Sequence, residues 1–405
     1  MTELQVHAPP AGIAPAPDAN RAFLAYLEGA RGFFGLLICV LHVWYRLSIL
    51  RPLSFPLPEH LAVLGHSFVG MFIVMSGYVL GLPVAKNGQR LRGGLTTFAT
   101  RRARRILPAY YGALAIAIPI SLFVLARSHE AVTLRWIKSS LLHLLMLHNF
   151  SNGLIETIDS PMWSVAVECD IYVLFPLVLI PLARRFGFVP MIVVGFVLGL
   201  VPTLVGALRG QFEHYALSES CFWYIGLFAL GYAAANFSVD GRPHVVRRLK
   251  HWPWNRWTLI FTILVLVAVV NSKPNELWHG SLWLTDLCAG LAISAQFMAD
   301  AQARANGKLT WFERFLLLRP LLFLGTFSYS FYLVNFPVID AFASFVGPNW
   351  SIAQVFAAGT ASILAALVVA YALYRVLERP FLTAYRRRGD AASLRSHRPA
   401  AATGD

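Results

Sequence analysis

Arg31 and His42 are the first residues whose types and spacing suit them to chemistry. They stand eleven positions apart in an apolar run. In a helix this is close to three turns, so both side chains share one face, roughly 16 Å apart along the axis. Ionisable groups in apolar segments are costly and mark functional sites by default, and an imidazole can take a hydroxyl proton near neutral pH. His42 could equally hydrogen-bond a neighbouring helix, and the spacing favours neither interpretation.

A second candidate group occupies the segment WSVAVECDIYVLFP. Ser164, Glu168 and Tyr172 recur at four-residue intervals and therefore share one face of a helix. Glu168 could orient His42, stabilise its charge or belong to an acceptor site. It could also serve as the structural partner of an arginine. Asp170 lies on another face of the same helix.

The third candidate is the basic segment TRRARRILPAYY, which contains Arg101, Arg102 and Arg105. Guanidinium groups are forked donors that suit phosphates such as those of coenzyme A. Such a cluster can also act only as a topology determinant or contact lipid headgroups. Upstream, Ser76 and Gly77 interrupt an apolar run, where small residues usually indicate close packing between helices.

Apolar runs long enough to cross a bilayer carry these residues. The chain is 57% hydrophobic and 13% charged, with a mean hydropathy of +0.59, which is typical of a membrane protein. We predict an all-α integral membrane protein, a bundle of about ten transmembrane helices within residues 23–383. The predicted spans are 27–49, 61–83, 105–126, 163–183, 187–207, 220–237, 256–272, 281–298, 320–344 and 351–377. The apolar segment from Trp136 to Leu147 is too short to span and predicts an interfacial or re-entrant helix.

The distribution of charge predicts the orientation of the bundle. Lys and Arg concentrate in alternate loops, which places both termini in the cytoplasm and explains the net charge of +14 without a nucleic-acid partner. Residues 1–22 and 384–405 are polar and predict disordered tails, and the N-terminal one lacks the pattern of a cleavable signal. The four cysteines lie far apart in apolar surroundings, which favours small buried side chains over disulfides or metal ligands: Cys39, Cys169, Cys221 and Cys288.

Five motifs follow one another along the chain. They are Arg31 with His42; Ser76 with Gly77; Arg102 with Arg105; Trp163, Ser164, Glu168 and Tyr172; and Gly325, Ser328, Tyr329, Tyr332, Leu333 and Pro337. A closing YRVLERPF segment follows them. In this order they resemble the acyltransferase-3 family of membrane acyltransferases, related in layout to bacterial O-antigen O-acetyltransferases, from about Leu27 to Phe381.

The resemblance implies a function and a set of roles. The donor would be cytoplasmic acyl-coenzyme A, with acetyl expected, and the acceptor a hydroxyl of a carbohydrate or glycoconjugate. The protein would be a multi-pass protein of the bacterial inner membrane that needs no metal. The sequence indicates neither the acceptor's identity nor the oligomeric state. The implied roles are catalytic for His42, Glu168 and Arg31, donor-binding for Arg101, Arg102, Arg105 and Ser76, and acceptor-binding for Trp163, Ser164 and Tyr172.

Three positions depart from the family pattern. Cys169 replaces a common second acid, Ala166 a common serine and Asn335 a common late histidine. An asparagine cannot act as acid or base, so we expect Asn335 to be structural. Two rival interpretations remain: a transporter or flippase of acyl or glycan intermediates, and a catalytically silent membrane partner. The first lacks support from an internal repeat, and the second is opposed by the intact Arg31 and His42.

Overall fold

A computed structural model describes residues 19–50, 57–151, 153–155, 157–208, 221–239, 252–271, 282–347 and 349–381. The predicted tails 1–22 and 384–405 lie outside these ranges, apart from residues 19–22, which open the first helix. All regular secondary structure in the described ranges is helical, and these ranges contain no strand. The helices, numbered in chain order, are α1 Ala19–Leu50, α2 Leu57–Lys86, α3 Gly94–Arg127, α4 Leu134–Leu144, α5 Met162–Phe186, α6 Phe188–Leu208, α7 Tyr224–Ser238, α8 Trp254–Asn271, α9 Leu282–Ala305, α10 Trp311–Leu316, α11 Arg319–Thr326, α12 Ser328–Ala343 and α13 Ile352–Phe381.

Every predicted span corresponds to helix, but fewer than ten helices are individually long and apolar enough to cross a membrane. Within the described ranges seven meet that measure, namely α1, α2, α3, α5, α8, α9 and α13. The pair α11 and α12 makes an eighth if it is a single span, although it bends by 78°. The segments predicted at 187–207 and 220–237 form α6 and α7, which fall short. The helical membrane fold is therefore confirmed, whereas the count of ten spans and the cytoplasmic termini stay predictions.

The core forms where helices approach closely through small residues. A methyl group on Gly77 of α2 would lie 2.1 Å from the carbonyl oxygen of Phe228, and one on Gly231 of α7 would lie 1.9 Å from that of Val74. Only glycine therefore allows α2 and α7 to pack at this distance. By contrast, α8 buries only Val265 and Val269 and turns apolar side chains outward, as expected for a helix facing lipid.

Two irregular elements shape the centre of the bundle. The segment predicted at 320–344 breaks at Phe327, so the first residues of α12 lie inside the bundle. The segment predicted to be interfacial or re-entrant forms α4, whose 11 residues are too few to span, followed by a short 3-10 turn at His148–Phe150. This segment buries His143 and His148, whose rings stack with centroids 3.9 Å apart.

Candidate active site

Most of the candidate residues meet in one cavity between α1, α2, α3, α5 and α12. The cavity encloses about 820 Å³ when the space at its open mouth is included. Its polar lining consists of Arg31, Ser76, Arg102, Arg105, Ser164, Glu168, Tyr172, Ser328, Tyr329 and Tyr332. Seven of the ten residues selected from the sequence are in this lining. The other three, His42, Arg101 and Trp163, lie outside it.

Three guanidinium groups give the cavity its positive charge. Arg31 comes from α1, whereas Arg102 and Arg105 come from the first half of α3. Arg102 lies over the ring of Tyr172, 5.9 Å from the centroid, and its buried Nε has no hydrogen-bond partner among the described residues. Since a buried unpaired donor is costly, this N–H suits an anionic ligand such as a phosphate.

Glu168 anchors a hydrogen-bond network in the wall of the cavity. Its Oε1 accepts from the hydroxyl of Ser76 at 2.8 Å and from the hydroxyl of Tyr172. Arg31 lies within electrostatic range of the carboxylate and balances its charge. Ser76 therefore belongs to the polar site, and the tight packing predicted for this part of α2 is made by the adjacent Gly77.

His42 lies beyond the cavity and pairs with Asn335. The Nδ1 atom of His42 is 2.7 Å from Oδ1 of Asn335. The amide nitrogen of Asn335 donates to the carbonyl oxygens of Phe331 at 3.0 Å and Tyr332 at 2.9 Å, so its oxygen must face the imidazole. An oxygen acceptor at Nδ1 places the proton of neutral His42 there and leaves Nε2 as the base. The orienting contact suggested for Glu168 is thus made by Asn335.

The cavity ends near a layer of side chains at the level of Ser164. The hydroxyl of Ser164 is 2.7 Å from that of Tyr332, which also donates to the carbonyl oxygen of Pro161 at 3.1 Å. Beyond this layer, Arg46 forms an ion pair with Asp340, one turn along α1 from His42. The imidazole therefore lies between the arginine-lined cavity and a charged pair farther along the same helices.

Several polar residues in this region were not selected from the sequence. His66 of α2 contacts Asp286 of α9, and Trp163 stacks on the His66 ring with centroids 5.2 Å apart. Both His66 and Asp286 are ionisable residues inside predicted spans, so the criterion applied to His42 would have found them. Among the described residues no three His, Cys, Asp or Glu side chains are grouped so as to hold a metal ion.

Comparison with known proteins assigns the chain to a family. Residues 24–375 match the Acyl_transf_3 model, described as an acyltransferase domain. The chain belongs to the acyltransferase-3 family. It is similar to the O-acetyltransferase OatA of Staphylococcus aureus, with 22% identity over 337 residues, covering 78% of this chain and 53% of OatA. A putative O-acetyltransferase of the same species is 23% identical over 327 residues, covering 77% of this chain and 52% of the relative.

This acyltransferase thus spans about half the length of the curated relatives it matches. No solved structure gives a significant match. Family membership supports an acyl donor and an enzymatic activity, and the bundle of apolar helices places that activity in a membrane.

Proposed function

We propose that this acyltransferase is a multi-pass O-acyltransferase of the bacterial inner membrane. It moves an acyl group, expected to be acetyl, from cytoplasmic acyl-coenzyme A to a hydroxyl of a carbohydrate or glycoconjugate. The observation that carries the proposal is the order of two features along α1. A buried cavity lined by three arginines comes first, and the imidazole of His42, with Nε2 as its base, follows. The O-acetyltransferase names of its relatives support it.

The arginines of the cavity bind the donor. Arg102 and Arg105 enter from α3 and provide forked N–H donors for the phosphates of coenzyme A. Arg31 and Glu168 line the next stretch, where their opposite charges offset each other. The pantetheine arm extends from there toward the Ser164 end and presents the thioester on the side of His42.

His42 activates the acceptor. Its Nε2 removes the proton of an acceptor hydroxyl, the hydroxyl oxygen bonds to the acyl carbon, and the carbon–sulfur bond of the thioester breaks. The proton passes to the sulfur of the leaving thiol, so the net products are an ester and free coenzyme A. Asn335 keeps Nδ1 protonated throughout, which holds Nε2 in the basic form at the start of each cycle.

The proposal is tested with purified protein in detergent by measuring binding of acetyl-coenzyme A and release of free coenzyme A. Arg102→Ala should raise KM for the donor by about tenfold or more, because a charge-assisted hydrogen bond is lost. Arg104→Ala is the matched control, since Arg104 is in the same cluster but does not line the cavity, and it should behave like wild type. His42→Ala should keep donor binding and lose about 100-fold or more in turnover.

Each outcome separates the candidate functions. Donor binding with a turnover defect confined to His42→Ala supports acyl transfer. A wild-type protein that neither binds nor cleaves acetyl-coenzyme A would overturn the proposal and favour a transporter or flippase of acyl or glycan intermediates, which also needs charged groups within a helix bundle.

A further inference from the structure

A second cluster of reactive side chains lies outside the cavity, where α2 meets the start of α7 and α9. The Nε2 atom of His66 is 3.4 Å from Sγ of Cys221, and the Nδ1 atom of the same ring is 3.0 Å from Oδ2 of Asp286. The three side chains come from distant parts of the chain and lie in the order nucleophile, base and carboxylate. That order is the arrangement by which a histidine activates a nucleophile.

The carboxylate determines which nitrogen of His66 is the base. Asp286 is fully buried, and its Oδ2 also accepts from the indole N–H of Trp223 at 2.8 Å. An ionised carboxylate only accepts hydrogen bonds, so the proton of neutral His66 lies on Nδ1. Nε2 then directs its lone pair toward the Cys221 thiol, while Trp163 stacks on the ring and restricts its rotation.

The backbone at Cys221 is unusual for a residue of its type. Its φ of 52° lies in the left-handed region, which residues with a Cβ atom rarely adopt. The turn leads into α7, and the N–H of Tyr224, the first helical residue, donates to the carbonyl oxygen of Cys221 at 3.0 Å. Cys221 therefore lies next to the amino end of a helix, where the helix dipole favours a thiolate.

Two contacts connect this cluster to the proposed transfer site. Trp163, which stacks on His66, is followed directly by Ser164 in the cavity lining, and Val69 of the lining is one turn from His66 on α2. Gly65, next to His66, packs against Leu41, next to His42. The two histidines therefore lie at the same level on neighbouring helices, and Trp163 connects His66 to Ser164 of the cavity lining.

We propose that Cys221, His66 and Asp286 form an acyl relay, an inference that rests on the proposed use of acyl-coenzyme A. His66 takes the thiol proton of Cys221, the thiolate attacks the thioester carbon, and coenzyme A leaves with that proton, so that one thioester replaces another. An acceptor hydroxyl then attacks the acyl-cysteine and gives its proton to His42. The Cys221 sulfur leaves as a thiolate and takes up a proton in exchange for the one that His42 releases, which regenerates the thiol and the neutral imidazole and yields the ester.

The relay is tested by trapping the acyl-enzyme. Wild-type protein is incubated with labelled acetyl-coenzyme A without acceptor, and the bound label is examined for release by neutral hydroxylamine, which cleaves thioesters, and assigned to a peptide by mass spectrometry. The label should be hydroxylamine-labile and located on Cys221. His42→Ala should accumulate it, because only the second step is blocked, whereas His66→Ala should form it at least about 100-fold more slowly.

Variants of Cys221 complete the test. Cys221→Ala and Cys221→Ser should bind acetyl-coenzyme A like wild type but show no labile label and at least about 100-fold lower turnover. Cys288→Ala, a cysteine two positions from Asp286 on α9, is the matched control and should retain both. Full turnover in Cys221→Ala, or a label on another residue, would overturn the relay while leaving the proposed acyl transfer intact. Absence of donor cleavage by wild type would instead count against the proposed function.

Discussion

At the residue scale, the hydrogen bond between His42 and Asn335 explains how an asparagine replaces the histidine that is common in the family. Asn335 is fully buried, and both amide protons are used by carbonyl oxygens of its own helix. Its oxygen can therefore act only as an acceptor for His42 Nδ1. An asparagine cannot act as acid or base, yet this one sets the tautomer of His42 on which the proposed proton transfer depends.

The corresponding prediction concerns Asn335→Leu. This change removes the oxygen that accepts from Nδ1 of His42, so the proton of the neutral imidazole is no longer confined to Nδ1 and Nε2 is no longer always the unprotonated nitrogen. We expect turnover of acetyl-coenzyme A to fall by about 10-fold to 100-fold while KM for the donor stays unchanged, because the donor cavity is untouched. Asn271→Leu, on the exposed side of α8, is the control for removing an amide from a helix. An equal loss in both variants, or a change confined to KM, would contradict the orienting role.

At the scale of the element, the close contact between α2 and α7 positions the Glu168 network. Ser76, which bonds Glu168, immediately precedes Gly77, the residue that touches α7. Gly77→Ala would place a methyl group 2.1 Å from the carbonyl oxygen of Phe228, so the helices must separate. We expect a loss of about 1–3 kcal/mol in stability together with weaker donor binding. Gly35→Ala, where the nearest atoms lie at 3.9 Å, should be tolerated in the same thermal-shift and binding measurements.

The segment between α4 and α5 contains a buried acid that makes stability depend on pH. Asp159 is 1% exposed, and neither carboxylate oxygen has a hydrogen-bond partner in the described part of the chain. Burial, and secondarily the charge of Asp340, raises the pKa of Asp159 well above its usual value. Burial also lowers the pKa of His143 to about 4 and that of His148 to about 3, and the charge of His143 lowers the latter further.

The raised pKa of Asp159 and the lowered pKa values of the two histidines have opposite effects on the free energy of unfolding as the pH changes. A raised acid pKa contributes stability at low pH that is lost as the pH rises through the folded-state value, whereas the lowered histidine pKa values remove stability on acidification. Replacing Asp159 isolates the first effect, since both histidines remain. We expect Asp159→Asn to raise the thermal midpoint relative to wild type, by little near pH 4 and by more as the pH approaches about 8. A constant difference at all pH values would show that the carboxylate does not titrate as proposed.

At the scale of the whole molecule, apolar runs predict where the helices lie but not which side chains meet. The boundaries of α8 agree with the predicted span within two residues, and α9 begins one residue after its predicted start but ends seven residues beyond its predicted end. Hydrophobicity over a span is a local property and can be read from the sequence. The break at Phe327 has no such signal, since it depends on packing around the start of α12.

Contacts between distant side chains were not predictable in the same way. Cys221 and His66 are 155 positions apart, and the sequence alone predicted Cys221 to be a small buried side chain. The order of the motifs allowed Arg31, Arg102 and Glu168 to be selected from the sequence as candidate site residues. The contact of His42 with Asn335 could be seen only in the folded structure.

The number of membrane crossings depends on α6 and α7: the apolar stretch of α6 that the structure describes runs only from Phe188 to Pro202, and α7 has 15 residues. Glycine contacts join them: a methyl group on Gly199 would lie 2.3 Å from the carbonyl oxygen of Phe222, at the start of α7. Arg184 and Arg185, just before α6, favour a cytoplasmic position for that end of the hairpin. If α6 and α7 both cross, the end of α6 at Leu208 lies outside. If neither crosses, both ends of the α6–α7 hairpin stay in the cytoplasm, and the orientation of the spans that follow is the same as in the ten-span arrangement.

A topology reporter fused after Leu208 therefore separates ten spans from eight. We expect a periplasmic phosphatase reporter to be active there and a cytoplasmic fluorescent reporter to be dark, because the positive charges before α6 hold its first end inside. The matched fusion after Gly187, between α5 and α6, should give the reverse pattern and control for expression. The same cytoplasmic signal at both positions would mean that α6 and α7 form a hairpin that returns to the side it left. In either case Cys221 keeps its level in the bundle, because its sulfur contacts His66 of α2, and α2 meets the criteria for a membrane span on its own.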